Sequence, residues 1–333
     1  MRRLTAILIV LILLAGCGRV RVEETLTRTD FMLDTFVTII LYGSTDELAL
    51  AGAFDLVRGF DHMMSRHTSH SELYQLNHAG GAPVEVSDDL ARLLAAALEY
   101  SAASGGAYDL TIAPMMDLWF RDRGIEEAEA GRRPPTVTEL AQALALVDYR
   151  NVQIDGNTVR LDHGAMIDLG GIAKGYIADA AGQYLRERGV PGAIINLGGD
   201  ILAVGERPGG NAFRIGIRKP FEDAWDILGV VEARDLAVVT SGVYERYFIY
   251  GDVRYHHIID LRTGMPADNG LASVSVVSSS ALEADALSII AFLLGLEAGM
   301  SMIERTPGAE ALFIQEDGQV IMTSGFEEIF TFS

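Results

Sequence analysis

The sequence predicts an α+β protein with mixed sheets and flanking helices. Short runs rich in Val, Ile, Phe and Thr dominate the second half of the chain, and helical periodicity is confined to a few segments. Strands and helices do not alternate regularly, as a doubly wound fold would require. The 333 residues, 49% hydrophobic and 22% charged, suffice for a full core without disulfides and exclude a disordered or fibrous chain.

Taken in order, the chain opens with Arg2 and Arg3, an apolar run from Leu4 to Ala15, then Gly16-Cys17. A membrane-spanning helix needs roughly 20 apolar residues, so this shorter run fits an export signal. The only cysteine, placed directly after small residues, resembles a bacterial lipobox. That resemblance implies a signal peptide over 1–16, a lipidated tether over 17–29, a folded domain over 30–333, and an exported protein anchored to a membrane through Cys17. Phe31 to Tyr42 then reads as a strand. Asp46 to Met64 reads as a helix, and Ser87 caps another that runs to Ala103. The charged stretch Arg121 to Pro135 reads as an exposed loop, and Thr136 to Val147 as a helix. Beyond it lie strands at Val152–Ile154, Thr158–Leu161, Ala193–Asn196, Phe213–Ile217, Leu228–Val231, Ala237–Val239, Tyr255–Ile259 and Ala272–Val277. Helices at Lys174–Glu187 and Leu282–Leu294 interrupt them.

Charge narrows the function classes. With 46 acidic against 26 basic residues the formal net charge is -20, which excludes a general nucleic-acid binder and disfavours electrostatic docking on anionic lipid. One cysteine excludes a disulfide scaffold and a Cys-rich metal site. Only Lys174 and Lys219 are lysines among the basic residues, so a compact ammonium is of particular interest where one occurs.

Four clusters carry possible chemistry. In Tyr108-Asp109-Leu110-Thr111, the polar side chains either serve a site or cap the helix that follows. Asp168-Leu169-Gly170-Gly171-Ile172-Ala173-Lys174 places paired glycines and a lysine at a helix start, where backbone N–H groups can approach a phosphate. Its spacing fits neither a Walker A loop nor the Rossmann fingerprint. His256 and His257, read on a strand, point to opposite faces and cannot easily share a metal. Helical spacing puts Asp285, Ser288, Ile289 and Phe292 on one face. There the carboxylate either holds a hard cation such as Mg²⁺ or favours the helix dipole.

In unbroken order from about Phe31 to Ile314, these clusters and their neighbours resemble the ApbE family of FAD:protein FMN transferases. The ordered series comprises Asp34-Thr35, Ser71-Glu72-Leu73 with Asn77, Tyr108 to Thr111, Asp168 to Tyr176, Asn196-Leu197-Gly198-Gly199-Asp200, Thr240-Ser241-Gly242, His257 to Gly264 and Ala284 to Leu287. The resemblance implies a flavin site between an α-rich and a β-rich part in a T-fold-like architecture. It implies that Leu33, His67, Ala107, Tyr108, Asp109, Asp168, Lys174 and Ile259 line the FAD site. Mg²⁺ would be held by Asp285, Ser288 and the Gly171 carbonyl, and His257 would be the active-site histidine. The implied reaction moves FMN from FAD to a Ser or Thr hydroxyl of an acceptor protein and releases AMP.

Three departures stand out. Ile289 occupies the position where the family usually has a metal-ligating Thr, His67 stands where tyrosine is common, and Leu261 replaces a proline. The first keeps open a flavin-binding lipoprotein without turnover, and FAD hydrolysis to FMN and AMP stays open separately, because water can replace the acceptor hydroxyl with the same metal and phosphate grip.

Overall fold

The computed structural model describes residues 24–120, 133–222 and 226–333. The export signal, Cys17 and most of the Arg121–Pro135 loop lie outside them. No helix among the described residues is long and apolar enough to cross a membrane.

An eight-stranded, wholly antiparallel sheet organises the chain, each strand lying beside the next in sequence. Its strands are β1 (Thr25–Met32), β2 (Thr35–Tyr42), β3 (Gly192–Leu197), β4 (Asp200–Gly205), β5 (Leu236–Gly242), β6 (Leu271–Ser278), β7 (Glu310–Gln315) and β8 (Val320–Met322). Long insertions leave from the strand ends, carrying helices α1 (Glu47–Met64), α2 (Glu72–Asn77), α3 (Asp88–Ala103), α4 (Ala113–Phe120), α5 (Val137–Leu144), α6 (Ala173–Glu187), α7 (Ala281–Leu294) and α8 (Leu296–Glu304). The α+β expectation holds.

Burial follows from two-sided covering. In β2 the buried residues Val37, Ile39 and Leu41 alternate with more exposed ones, the period-2 pattern of a strand with one core face. In β6 every residue is buried, because α7 packs on one face and a three-stranded sheet (Phe213–Arg218, Ile227–Ala233, Phe330–Phe332) covers the other. The helix-side core contains Phe54, Phe292 and Phe313, and the far side contains Phe213, Phe326 and Phe330.

Two expectations are corrected. The tether reading of residues 17–29 fails from Thr25 onward, because Thr25 to Thr29 belong to β1 and pair in register with Tyr42 to Thr38. β1 is an edge strand of alternating polar residues, so it lacks the apolar period of an inner strand. Arg28 instead lays its guanidinium 4.5 Å from the Phe54 ring centre. The strand expected over Tyr255–Ile259 is broken. Val253–His256 pairs with Tyr247–Tyr250, Ile259–Asp260 pairs with Met265–Pro266, and His257 lies at the break.

One close contact sets the site. At Gly175 a Cβ would sit 2.2 Å from the Ala281 carbonyl oxygen, so only glycine lets α6 approach the start of α7 this closely. The Gly175 N–H donates to Asp285 Oδ2 at 2.9 Å. One turn further, Asp179 accepts from Ser280 Oγ at 2.8 Å, Ala281 N at 2.8 Å and Leu282 N at 3.0 Å, satisfying the first turn of α7. Gly175→Ala is expected to push the two helices apart and cost about 1–3 kcal/mol, as overpacking does. Urea denaturation checks this, and unchanged stability would show that the helices can separate freely.

Candidate active site

At the end of the sheet formed by the β1–β2 turn, the β3–β4 turn and the C-terminus of β5 lies a cleft of roughly 2370 Å³. The start of α6 and the middle of α7 form one wall, and the Tyr247–His256 hairpin with His257 beyond it forms another. Leu33, His67, Ala107, Tyr108, Asp109, Asp168, Gly171, Lys174, His257, Ile259 and Asp285 all line it. Residues spread over more than 250 positions of sequence thus share one cavity because the insertions of an antiparallel meander return to the same sheet end.

Some of these side chains act on the protein itself. Asp168 Oδ1 accepts from Gly170 N at 2.8 Å, while its Oδ2 pairs with Arg66 Nε at 2.7 Å, so the carboxylate shapes the glycine turn. Arg66 also donates to Asp117 at 2.9 Å. Asp109 is committed likewise: it accepts from Thr111 N, Thr111 Oγ1 and, through its other oxygen, Tyr149 N, at 2.8, 2.6 and 2.8 Å. Burial still holds its carboxyl above the usual range, against those bonds. The Asp109 side chain thus ties its own turn to the Tyr149 segment and bonds no N–H of the helix that starts at Ala113. Tyr108 differs. Its buried hydroxyl has no hydrogen-bond partner among the described residues, and burial followed by the charges of Asp285, Asp168 and Asp109 pushes it up. A buried donor without a partner costs free energy that a bound acceptor would recover.

The charged centre joins three elements. Lys174 Nζ lies 2.5 Å from Asp200 Oδ2, and the Asp200 side chain is only 5% exposed. Asp200 closes the Asn196-Leu197-Gly198-Gly199-Asp200 motif. The β3–β4 turn, with Gly198 at φ 68, delivers it to the lysine. Burial works against the Lys174 ammonium, but Asp200 and then Asp285 outweigh it and hold the lysine above its ordinary pKa. Asp285 is pushed up to about 7, first by burial and then by Asp200, with Lys174 and the Gly175 N–H opposing. Its Oδ1 has no hydrogen bond among the described residues.

Such a carboxylate, buried yet open on one oxygen, suits a hard cation. Among the described residues no three His, Cys, Asp or Glu side chains group as a metal site. Further oxygen donors must therefore be hydroxyl, backbone or ligand atoms. The expected face of α7 shifts here. Asp285, Ile289 and Leu293 line the cleft, whereas Ser288 and Phe292 are wholly buried behind it. Ser288 donates to the Asp285 carbonyl at 2.9 Å and lies 2.8 Å from Ser241 Oγ. The reason is angular: i and i+4 share a face, while i+3 has turned toward β5. Ile289 instead sits beside Gly171, 3.8 Å from where a Cβ would project there.

His257 donates its backbone N–H to the Arg246 carbonyl at 3.0 Å, and its Nδ1 lies 3.2 Å from the same oxygen. A carbonyl only accepts, so Nδ1 carries the proton and Nε2 keeps its lone pair. Burial, then the nearby Arg246 charge, brings this histidine down to about 3. Arg246, which also reaches the Asp34 carbonyl at 3.4 Å, is a residue that sequence reasoning missed; its place beside the histidine is set by a loop with no recognisable motif.

The sequence matches the ApbE family over residues 33–313, and the chain belongs to that family. It is 35% identical over 285 residues to an FAD:protein FMN transferase of Klebsiella pneumoniae, covering 84% of this chain and 86% of the relative. It is also 35% identical to an FAD:protein FMN transferase of Treponema pallidum, covering 92% and 89%. The fold matches the crystal structure of the ApbE protein from Thermotoga maritima with TM-score 0.85 at 30% identity, over 92% of this chain and 99% of that one. The flavin transferase ApbE from Vibrio cholerae matches with TM-score 0.81 at 28% identity, over 92% and 99%.

A depressed histidine pKa has a direct spectroscopic consequence. Since the folded value lies below the ordinary one, His257 stays neutral down to its own pKa rather than protonating near pH 6.5. Nitrogen chemical shifts of His257 in the ligand-free protein should remain those of the Nδ1–H tautomer from pH 8 to 5. A titration centred near 6.5 would contradict the desolvated setting.

Proposed function

We propose that the chain transfers FMN from FAD to a Ser or Thr hydroxyl of an exported or membrane acceptor protein and releases AMP, with Mg²⁺ required, and that it works on the extracytoplasmic side, anchored through lipidated Cys17. The observation that carries the reading is the meeting of Asp285 and Lys174 on one cleft wall beside the Gly170-Gly171 turn. The names of the relatives agree with the reaction. The volume of the cleft supports two substrates together, since a single small ligand fills about 300–1,000 Å³. Exposed Phe31, Phe36, Tyr247 and Ile249 along its lining suit a polypeptide at the mouth.

The chemistry follows from these side chains. The acceptor oxygen attacks the FMN phosphorus while its hydroxyl donates to His257 Nε2, which serves as orienting group or as base, and the proton passes to the histidine or onward to the departing phosphate. The bond from that phosphorus to the bridging oxygen breaks, and AMP leaves with the bridging oxygen. Lys174 and the backbone of the glycine turn bind and orient the diphosphate. When bound, Mg²⁺ would be held by Asp285 and the Gly171 carbonyl and would neutralise phosphate charge.

Incubation of the protein with FAD, Mg²⁺ and an acceptor of the family should give a covalent FMN mass increment on the acceptor and an equivalent of AMP. FMN and AMP without labelling would establish hydrolysis instead. His257→Gln should slow labelling by about 10²–10⁴-fold while FAD affinity, followed by flavin fluorescence, is retained. Cys17→Ser should move the protein from the membrane to the soluble fraction; persistence at the membrane would overturn the anchor.

A further inference from the structure

The resemblance implies a hydroxyl where Ile289 lines the cleft wall with none, and Ser241 lines the same cleft. Ser241 lies at the end of β5 and lines the cleft, from the strand face that meets α7. Its Oγ is 2.8 Å from Ser288 Oγ, and Ser288 in turn donates to the Asp285 carbonyl at 2.9 Å. Ser288 has one hydroxyl proton, and the Asp285 carbonyl takes it. In the contact between the two serines, Ser241 must therefore be the donor. With its proton given to Ser288, the Ser241 oxygen keeps its lone pairs for another partner. The chain of two hydroxyls also ties Ser241 to the residue that carries the carboxylate.

We infer that Ser241 Oγ is an oxygen ligand of the divalent cation at Asp285, standing in for the hydroxyl that Ile289 lacks, with Ser288 as the positioning residue that orients it. This rests on the reading of Asp285 as a cation site. The donor type is right, because Mg²⁺ and Mn²⁺ prefer hard oxygen ligands and accept neutral ones beside a carboxylate. Wholly buried, Ser288 cannot reach the cleft itself, so it acts through Ser241. Ile289 contributes only its apolar surface next to Gly171 and Tyr108.

Mn²⁺ binding to the metal-free full chain in the presence of FAD, followed by electron paramagnetic resonance, separates the possibilities. Ser241→Ala should weaken Mn²⁺ by about tenfold or more, with FAD affinity in the absence of metal unchanged. Adding Ile289→Thr to Ser241→Ala should restore most of the loss. Mn²⁺ affinity equal to wild type in Ser241→Ala overturns the assignment, and so does a loss of metal-free FAD affinity, which would place Ser241 on the flavin. Ser241→Cys gives an independent reading even if the alanine variant folds poorly. It should lose Mn²⁺ and gain Cd²⁺ relative to wild type, and no gain in Cd²⁺ counts against the inference. Wild type that binds no Mn²⁺ with FAD would instead remove the cation reading itself, whatever Ser241 does.

Discussion

Two buried carboxylates and one half-buried ammonium, brought together at the junction of α6, α7 and the β3–β4 turn, set the terms for the rest of this molecule. Asp200 grips Lys174 at 2.5 Å, and Asp285 stands close enough to raise the pKa of the lysine and to have its own raised by Asp200. Breaking such a pair by removing one partner leaves an uncompensated buried charge, which is strongly destabilising. With all three ionised, the group keeps one net negative charge facing the cleft. That excess supports the reading of Asp285 as a cation site.

The backbone is arranged to hold those charges. A glycine in the first turn of α6 allows the close approach to α7 that gives Asp285 its N–H partner, and Asp179 closes the contact by capping α7. On the sheet side, a glycine turn brings Asp200 to the lysine. Around this centre the other polar residues divide by task. Asp109, Asp168 and Arg66 are committed to the protein, whereas Tyr108, His257 and Asp285 each keep one atom available. The motif at Asp109 therefore reflects loop architecture.

Ile289 shows that a position on a helical wheel has to be judged in its surroundings. On a helical wheel Ser288 looks like its natural substitute, yet the helix turns Ser288 inward against β5. The serine that lines the cleft, Ser241, comes from the strand.

Sequence by itself determined the fold class, most helices from their caps and periodicity, and the membership of one cleft by Asp285, Lys174 and Asp168 to Gly171, because these depend on local spacing and on an ordered motif series. It did not determine β1, whose polar alternation at a sheet edge carries no hydrophobic signal, nor the break at His257, where two short hairpins interrupt a β-rich run. Only the tertiary structure decided that Lys174 belongs to Asp200, that Ser288 is buried against Ser241 and that Arg246 fixes the tautomer of His257. Each of those contacts joins residues from separate elements, and their partners are chosen by packing rather than by any local pattern in the chain.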